Sequence, residues 1–235
     1  MNTANPCPGY GAGIDCAVYS AVGQTPLINC KLMSEETHMD ERLEKQLNFS
    51  LEIDKEKNIL RRTHLSEHGR RENDAEHAWH MAIMAYLLKE YSNESIDIAK
   101  TMIMCLIHDI VEIDAGDTYA YDDEGKKTQH EREEKAKQRI FAILPDDQKE
   151  EFTALFDEFE ARQTPEAKFA RAMDNLQPLL LNTSNGGSDW KEQGAVASKV
   201  YKRQRDTKEG SEKLYEVTDA MIKNNIERGS LIEDR

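Results

Sequence analysis

The sequence is poor in the features that mark several large classes of protein. No stretch approaches the roughly 20 consecutive apolar residues that a membrane span needs. The N-terminus also lacks the basic start and apolar run of a secretory signal. Cysteine is scarce: Cys7, Cys16, Cys30 and Cys105 match no zinc-binding spacing, and an acidic chain of 235 residues needs no disulfide staples. These absences point to a cytoplasmic protein with no membrane partner. Aromatics make up only 7% of the residues, with 6 prolines and 12 glycines, which disfavours a β-sandwich or barrel. Positive charge is short as well. The formal net charge of −14 repels phosphate backbones, so a nucleic acid polymer is not expected as a partner. A small phosphorylated ligand is still compatible, because a metal ion and a few local arginines can reverse the field inside a pocket.

What remains is a charged, helix-forming composition of one-domain length, and the expected fold is a compact, all-α multi-helix bundle. Residues 1–33 are rich in Gly, Ala, Asn and Cys and nearly uncharged. We read 1–38 as an irregular tail, with Met33 and Met39 as alternative initiators, and 39–235 as the folded domain. Leu43, Leu47, Leu51 and Ile53 predict an amphipathic helix over 40–58, and the Arg- and His-rich stretch 59–72 reads as a loop. Asn73 with Glu76 resembles a capping box for a helix to about Tyr91. Ser95 is the candidate cap of the next helix, apolar through Met102, Ile103 and Leu106. Further helices are expected at about 128–143 and 147–161. Thr164-Pro165-Glu166 starts another that reaches about Asn182, and Asn185-Gly186-Gly187-Ser188 breaks the chain. One or two helices follow, with Gly210 as an interruption. No segment alternates as a strand would.

The chemistry begins at His108-Asp109, which ends the apolar run Met102–Ile107. Ionisable neighbours there are expensive to bury without partners. A His-Asp pair at a helix end can simply reach solvent, but Glu76-His77 lies in the first turn of the preceding helix. In an antiparallel helix pair, the start of one helix faces the end of the next. His77, His108 and Asp109 would then supply three ligands to one ion, a nitrogen and oxygen set suited to Mn, Fe, Co, Ni or Zn rather than Ca. Asp174 interrupts the apolar face of Phe169, Met173, Leu176 and Leu180, so it is either a fourth ligand or the ion-pair partner of Arg171.

In order along the chain, Glu76-His77, His108-Asp109 and Asp174 resemble the H…HD…D signature of the HD phosphohydrolase superfamily. The stretches Leu60-Arg61-Arg62, Asn73–Trp79, His108–Glu112, Ala115-Gly116-Asp117 and Ala172-Met173-Asp174 resemble its 5′-deoxynucleotidase branch more narrowly, over roughly residues 45–230. The resemblance implies a helical homodimer that hydrolyses (deoxy)nucleoside 5′-monophosphates with one divalent metal ion (Mn, Co, Mg, Fe, Ni or Zn) held by His77, His108, Asp109 and Asp174. It further implies that Glu112 helps to activate water, that Asp117 lies near the reacting phosphate and that Arg62 contacts the phosphate or sugar. Glu112 stands three residues beyond Asp109, and on a continuing helical turn it would share that face. Thr63 stands where the deoxynucleotidases often carry tryptophan, which puts strict deoxyribose selectivity in question.

Competing readings are a nucleoside triphosphate triphosphohydrolase, a cyclic-nucleotide phosphodiesterase and a non-catalytic nucleotide-binding module. The first calls for a basic cluster, which the linear sequence does not display, and the second for a second metal. Around the core set, His64 and His68 could line a pocket and His80 could support His77. Trp79 is expected in the core or a dimer interface, and Trp190 is expected to anchor the last helices.

Overall fold

The capping signals in the sequence translate directly into helix starts. In the computed structural model, residues 40–120, 122 and 124–234 are described. The expected tail (1–38), the alternative initiators and Cys7, Cys16 and Cys30 lie outside them. Asn73 accepts from the Glu76 backbone N–H while the Glu76 carboxylate accepts from that of Asn73, and α2 (Asp74–Leu88) begins there. Thr164 caps α7 (Pro165–Ser184), with Pro165 at its first position, where the missing N–H costs nothing. Helix α3 (Ile98–Ile107) is capped by Asp97 rather than Ser95, its carboxylate accepting from the N–H groups of Ala99 and Lys100. Helices α5 (Lys126–Phe141) and α6 (Asp146–Ala161) fall close to the predicted spans.

Gly186 and Gly187 take positive φ at the predicted break, ahead of the short α8 (Ser188–Gln193). Helix α9 (Ala197–Gly210) gives way to α10 (Glu212–Glu227) through Ser211 alone. Gly210 is required there for a different reason: a Cβ would strike the carbonyl oxygen of Lys168 in α7.

Two further expectations fail in this part of the chain. The stretch read as a loop contains a small antiparallel pair, β1 (Leu60–His64) and β2 (Arg71–Asn73), running from Leu60 opposite Asn73 to His64 opposite Arg71. Helix α1 (Glu41–Ile53) forms, but Leu43, Leu47 and Leu51 are exposed. Its buried side carries Phe49 and Glu52 instead. Phe49 packs against Phe141 and Phe152, and Glu52 is satisfied by Arg139 at 2.6 Å and Lys55 at 2.7 Å. Charge pairing lets a glutamate occupy the inner face that periodicity assigned to leucine.

Helix α7 runs through the middle, against α2, α3, α6 and α9. The main core joins Met81 and Met104 to Phe169, Met173 and Ile222, with Trp190 of α8 buried against it as expected. A second cluster gathers Phe49, Ile107, Ile140, Phe141 and Phe156. The site lies where α2, α3, α7 and β1 come together.

Candidate metal centre

His77, fully buried in the first turns of α2, and His108, the C-cap of α3, face one another as the helix-pair argument requires, with ring centroids 5.5 Å apart. Each ring is held by its Nδ1. His77 Nδ1 lies 2.9 Å from Gln177 Oε1, and the Gln177 amide in turn donates to Glu72 Oε1 at 2.6 Å. His108 Nδ1 lies 2.8 Å from the Cys105 carbonyl oxygen. A proton on each Nδ1 satisfies these acceptors and leaves both Nε2 lone pairs pointing inward, the tautomer that a metal ligand needs.

Asp109 and Asp174 complete the group. His108 Nε2 is 3.1 Å and His77 Nε2 4.0 Å from Asp109 Oδ2, while Asp174 Oδ1 is 3.3 Å from His77 Nε2 and 4.0 Å from His108 Nε2. Ligands at about 2.1 Å from a common ion stand roughly 3 Å apart when adjacent and 4 Å when opposite. His77, His108 and Asp109 each offer an atom within 4.8 Å of the other two, and Asp174 closes on the two histidines. His108 Nε2 is buried and lies 3.1 Å from Asp109 Oδ2, so the two atoms converge on one point.

Electrostatics favour a cation as well. Glu56, Glu72, Asp74, Glu112 and Asp174 are all buried around the centre. Arg61 answers part of this charge, its Nη1 lying 2.8 Å from Asp109 Oδ2 and 3.1 Å from Asp74 Oδ1. Arg171 and Arg203 hold Asp174 at 2.9 Å and 3.1 Å. Carboxyls left without enough positive charge are pushed upward, chiefly by burial and then by Asp109: Glu56 to about 8, Asp74 to about 7 and Glu112 well above its usual range. Burial and Arg61 lower His77 to about 4 and keep it neutral. Burial also opposes a charge on His108, but Asp109 and Asp174 outweigh it and raise the imidazole to about 9. A proton on His108 thus does part of the balancing that a divalent ion would do, and the residues present fit such an ion.

The other predicted residues fall around this centre. Glu112 follows Asp109 through a tight turn, its N–H donating to the Asp109 carbonyl at 2.8 Å, and begins α4 (Glu112–Ala115) with its carboxyl within 4.8 Å of Asp109 and Asp74. Asp117 lines the adjoining cleft with Arg62, Thr63, Asn182 and Trp190. Gly116, at φ 73°, turns the chain toward it, and Arg132 secures that turn through the Ala115 carbonyl and Thr118. Arg62 is exposed at the cleft, whereas Arg61 is the arginine buried in the centre. The missed signal was strand alternation, which sends neighbouring side chains to opposite faces. Arg203 was missed as well. It reaches Asp174 from α9, 29 residues away, and no local pattern marks it.

Of the lesser candidates, His80 meets Gln177 at 3.1 Å, a supporting position. His64 is taken up by Asp189, and the His68 N–H donates to Asn185 Oδ1 at 3.1 Å. Trp79 is 61% exposed and therefore outside the core.

Human 5′-deoxynucleotidase HDDC2 is 32% identical over 111 residues, 47% of this chain and 53% of that protein. The 5′-deoxynucleotidase hdd1 of Schizosaccharomyces pombe is 30% identical over 112 residues, 46% of this chain and 55% of its own length. The chain thus spans about half the length of the curated relatives it matches. A crystal structure of a predicted metal-dependent phosphohydrolase from Magnetospirillum magnetotacticum MS-1 is 48% identical, with a TM-score of 0.79 over 82% of this chain and 96% of that one. Residues 53–215 match the HD domain family, and the chain belongs to it.

Proposed function

We propose that the protein hydrolyses nucleoside 5′-monophosphates, deoxynucleotides foremost, to nucleoside and phosphate, using one divalent ion held by His77, His108, Asp109 and Asp174. The observation that carries this reading is the convergence of both inward Nε2 atoms and two carboxylates beside a buried, unsatisfied Glu112 at the end of an open cleft. When bound, the ion would acidify water and neutralise charge on phosphoryl oxygens.

The chain's own residues supply the rest. Gln177 and the Cys105 carbonyl fix the two imidazoles. Glu112 would accept the proton of the attacking water, the charge of a bound ion offsetting the burial and the neighbouring carboxylates that push its carboxyl upward in the metal-free site. Asp117, also pushed upward by burial, would return a proton to the departing 5′ oxygen. Arg62, at the mouth of the cleft, offers a fork to the phosphate. The second acidic trio, Asp74, Asp109 and Glu112, already contains the Arg61 guanidinium, which favours one ion and disfavours the phosphodiesterase reading.

We read the protein further as a cytoplasmic homodimer. Among the described residues no helix is long and apolar enough to cross a membrane. Trp79, Ile83, Tyr86 and Leu87 form an exposed apolar stripe on α2, and Ile103 and Leu106 are exposed on α3, which packs against it. Phosphate release from a panel of ribo- and deoxynucleotides with Mn, Co or Mg tests the activity. Release from deoxynucleoside monophosphates is expected. No phosphate from any nucleotide, together with no stoichiometric metal, would contradict the reading.

A further inference from the structure

Glu112 and Asp117 stand on one short stretch of chain, and that stretch has little of its own to hold it. Helix α4 is a single turn, too short to be stable without outside contacts. Gly116 ends it at φ 73° and ψ 148°, a conformation that residues with a side chain rarely adopt. A Cβ built on Gly116 would meet nothing within 4 Å, so no close packing at that face fixes the turn. The Gly116 N–H donates to the Glu112 carbonyl at 2.7 Å and ties the turn to the helix before it. Asp117, which lines the cleft, comes next in the chain.

Arg132 supplies the remaining constraint. From α5 its Nη1 donates to the Ala115 carbonyl, just before Gly116, and its Nη2 donates to Thr118 Oγ1 at 2.8 Å, just after Asp117. One planar group thus holds both ends of the Gly116-Asp117 step. The guanidinium is itself anchored at the start of α5, its Nε donating to Thr128 Oγ1 at 3.4 Å and its Nη2 also meeting the Gly125 carbonyl at 3.5 Å. These acceptors are all neutral, whereas Arg42, Arg70 and Arg139 meet carboxylates. Arg132 is therefore used for the spread of its donors, which the single nitrogen of a lysine does not reproduce. About two turns further along α5, Arg139 grips Asp114 of α4 at 2.9 Å and the buried Glu52 at 2.6 Å. Of these two grips, that of Arg132 is the one that straddles Asp117.

We propose that Arg132 is a positioning residue for the hydrolysis: its fork fixes the Gly116-Asp117 turn and so sets the Asp117 carboxyl toward the reacting phosphate. The role rests on the reading of Asp117 as proton donor to the departing oxygen. Arg132 acts through Asp117 and not on the nucleotide.

The test compares the metal-loaded full chain with Arg132→Gln, Arg132→Lys, Asp117→Asn and the double variant Arg132→Gln with Asp117→Asn. Phosphate release from dAMP is measured, and hydrogen exchange is read by mass spectrometry on the same proteins. Both Arg132 variants are expected to lower kcat by about 10–100-fold, the cost of misplacing a reacting group, while KM and metal content stay within about twofold. In the Asp117→Asn background, Arg132→Gln should lower kcat by less than about twofold more, because its effect runs through a group already removed. Amides of residues 114–120 should exchange about tenfold faster in Arg132→Gln, with α2 and α7 at the parental rate, since the charge-assisted bonds are lost only at the turn. Losses that multiply in the double variant overturn the proposal, as does parental kcat in Arg132→Lys or unchanged exchange over 114–120. An impaired Asp117→Asn protein beside fully active Arg132 variants overturns the proposal alone and leaves the role of Asp117 standing. A fully active Asp117→Asn protein overturns the role of Asp117 and the proposal with it. A parent that releases no phosphate overturns the hydrolytic reading, and faster exchange at the turn would then mark Arg132 as a purely structural clamp.

Discussion

Replacing Gln177 by leucine removes the group that orients His77 while nearly preserving volume. Gln177 is fully buried; its carbonyl accepts from His77 Nδ1 at 2.9 Å, and its amide donates to Glu72 at 2.6 Å. The leucine variant leaves an imidazole N–H and a carboxyl oxygen without their partners in the interior. At about 1–3 kcal/mol for each orphaned group, the expected loss is roughly 2–6 kcal/mol. For a chain of this size that lowers Tm by about 4–24 °C. Freed of its anchor, His77 should also bind metal roughly 10–100-fold more weakly, the usual cost of losing a partner behind a ligand. Thermal unfolding of the metal-free protein and calorimetric titration with Mn or Co separate the two effects. Gln177→Glu provides the control: it keeps an acceptor for His77 Nδ1 but sets a second carboxyl beside Glu72, itself raised to about 7 by burial. Metal affinity in that variant should recover toward the parental value below about pH 6, where the pair holds protons. A leucine variant that loses stability yet binds metal with unchanged affinity would refute the orienting role.

Other consequences follow from the same geometry. Glu112→Gln should retain the metal but lower kcat by about 10²–10⁴, the range for a lost general base, as phosphate-release kinetics will show. Arg62→Ala should raise KM for a monophosphate roughly tenfold without changing metal content, consistent with a lost charge-assisted contact. Glu56, raised to about 8 by burial and Asp109, binds its proton more tightly folded than unfolded. Metal-free stability should therefore fall as pH rises from the unfolded value near 4.5 through 8. Glu56→Gln should make that decline shallower, the remainder coming from Glu72, Asp74 and Glu112, with a gain on the order of 2–4 kcal/mol at pH 8 in denaturant titrations, and equal slopes in the two proteins would contradict the assignment. Gly210→Ala should cost about 1–3 kcal/mol, because the added Cβ meets the Lys168 carbonyl, and the same titrations measure it.

What could be read in the sequence was what is local. The capping box of Asn73 and Glu76, the Thr164-Pro165 start and the glycine break after Asn185 each lie within a few residues, where short-range chemistry dictates the backbone. The pairing of His77 with His108 followed from one simple relation, the antiparallel packing of consecutive helices. The β1 and β2 pair was missed because its short strands carry arginine and histidine rather than an alternating apolar pattern. The buried face of α1 is not legible in the sequence, because a doubly paired Glu52 cannot be told from an exposed one without its partners. Arg61 and Arg203 escaped for related reasons: a side chain's direction depends on strand register, and contacts across 29 or 48 residues leave no local trace.

The central claim is a single divalent ion held by four named side chains, and metal content measured by mass spectrometry tests it most directly. After incubation with Mn or Co and desalting, the protein is expected to carry about one ion per chain, as a four-ligand site requires. Asp109→Ala, compared side by side and verified as folded by circular dichroism, is expected to carry almost none and to release no phosphate. Stoichiometric metal in the folded Asp109→Ala protein, or none in the unaltered chain, would contradict the account.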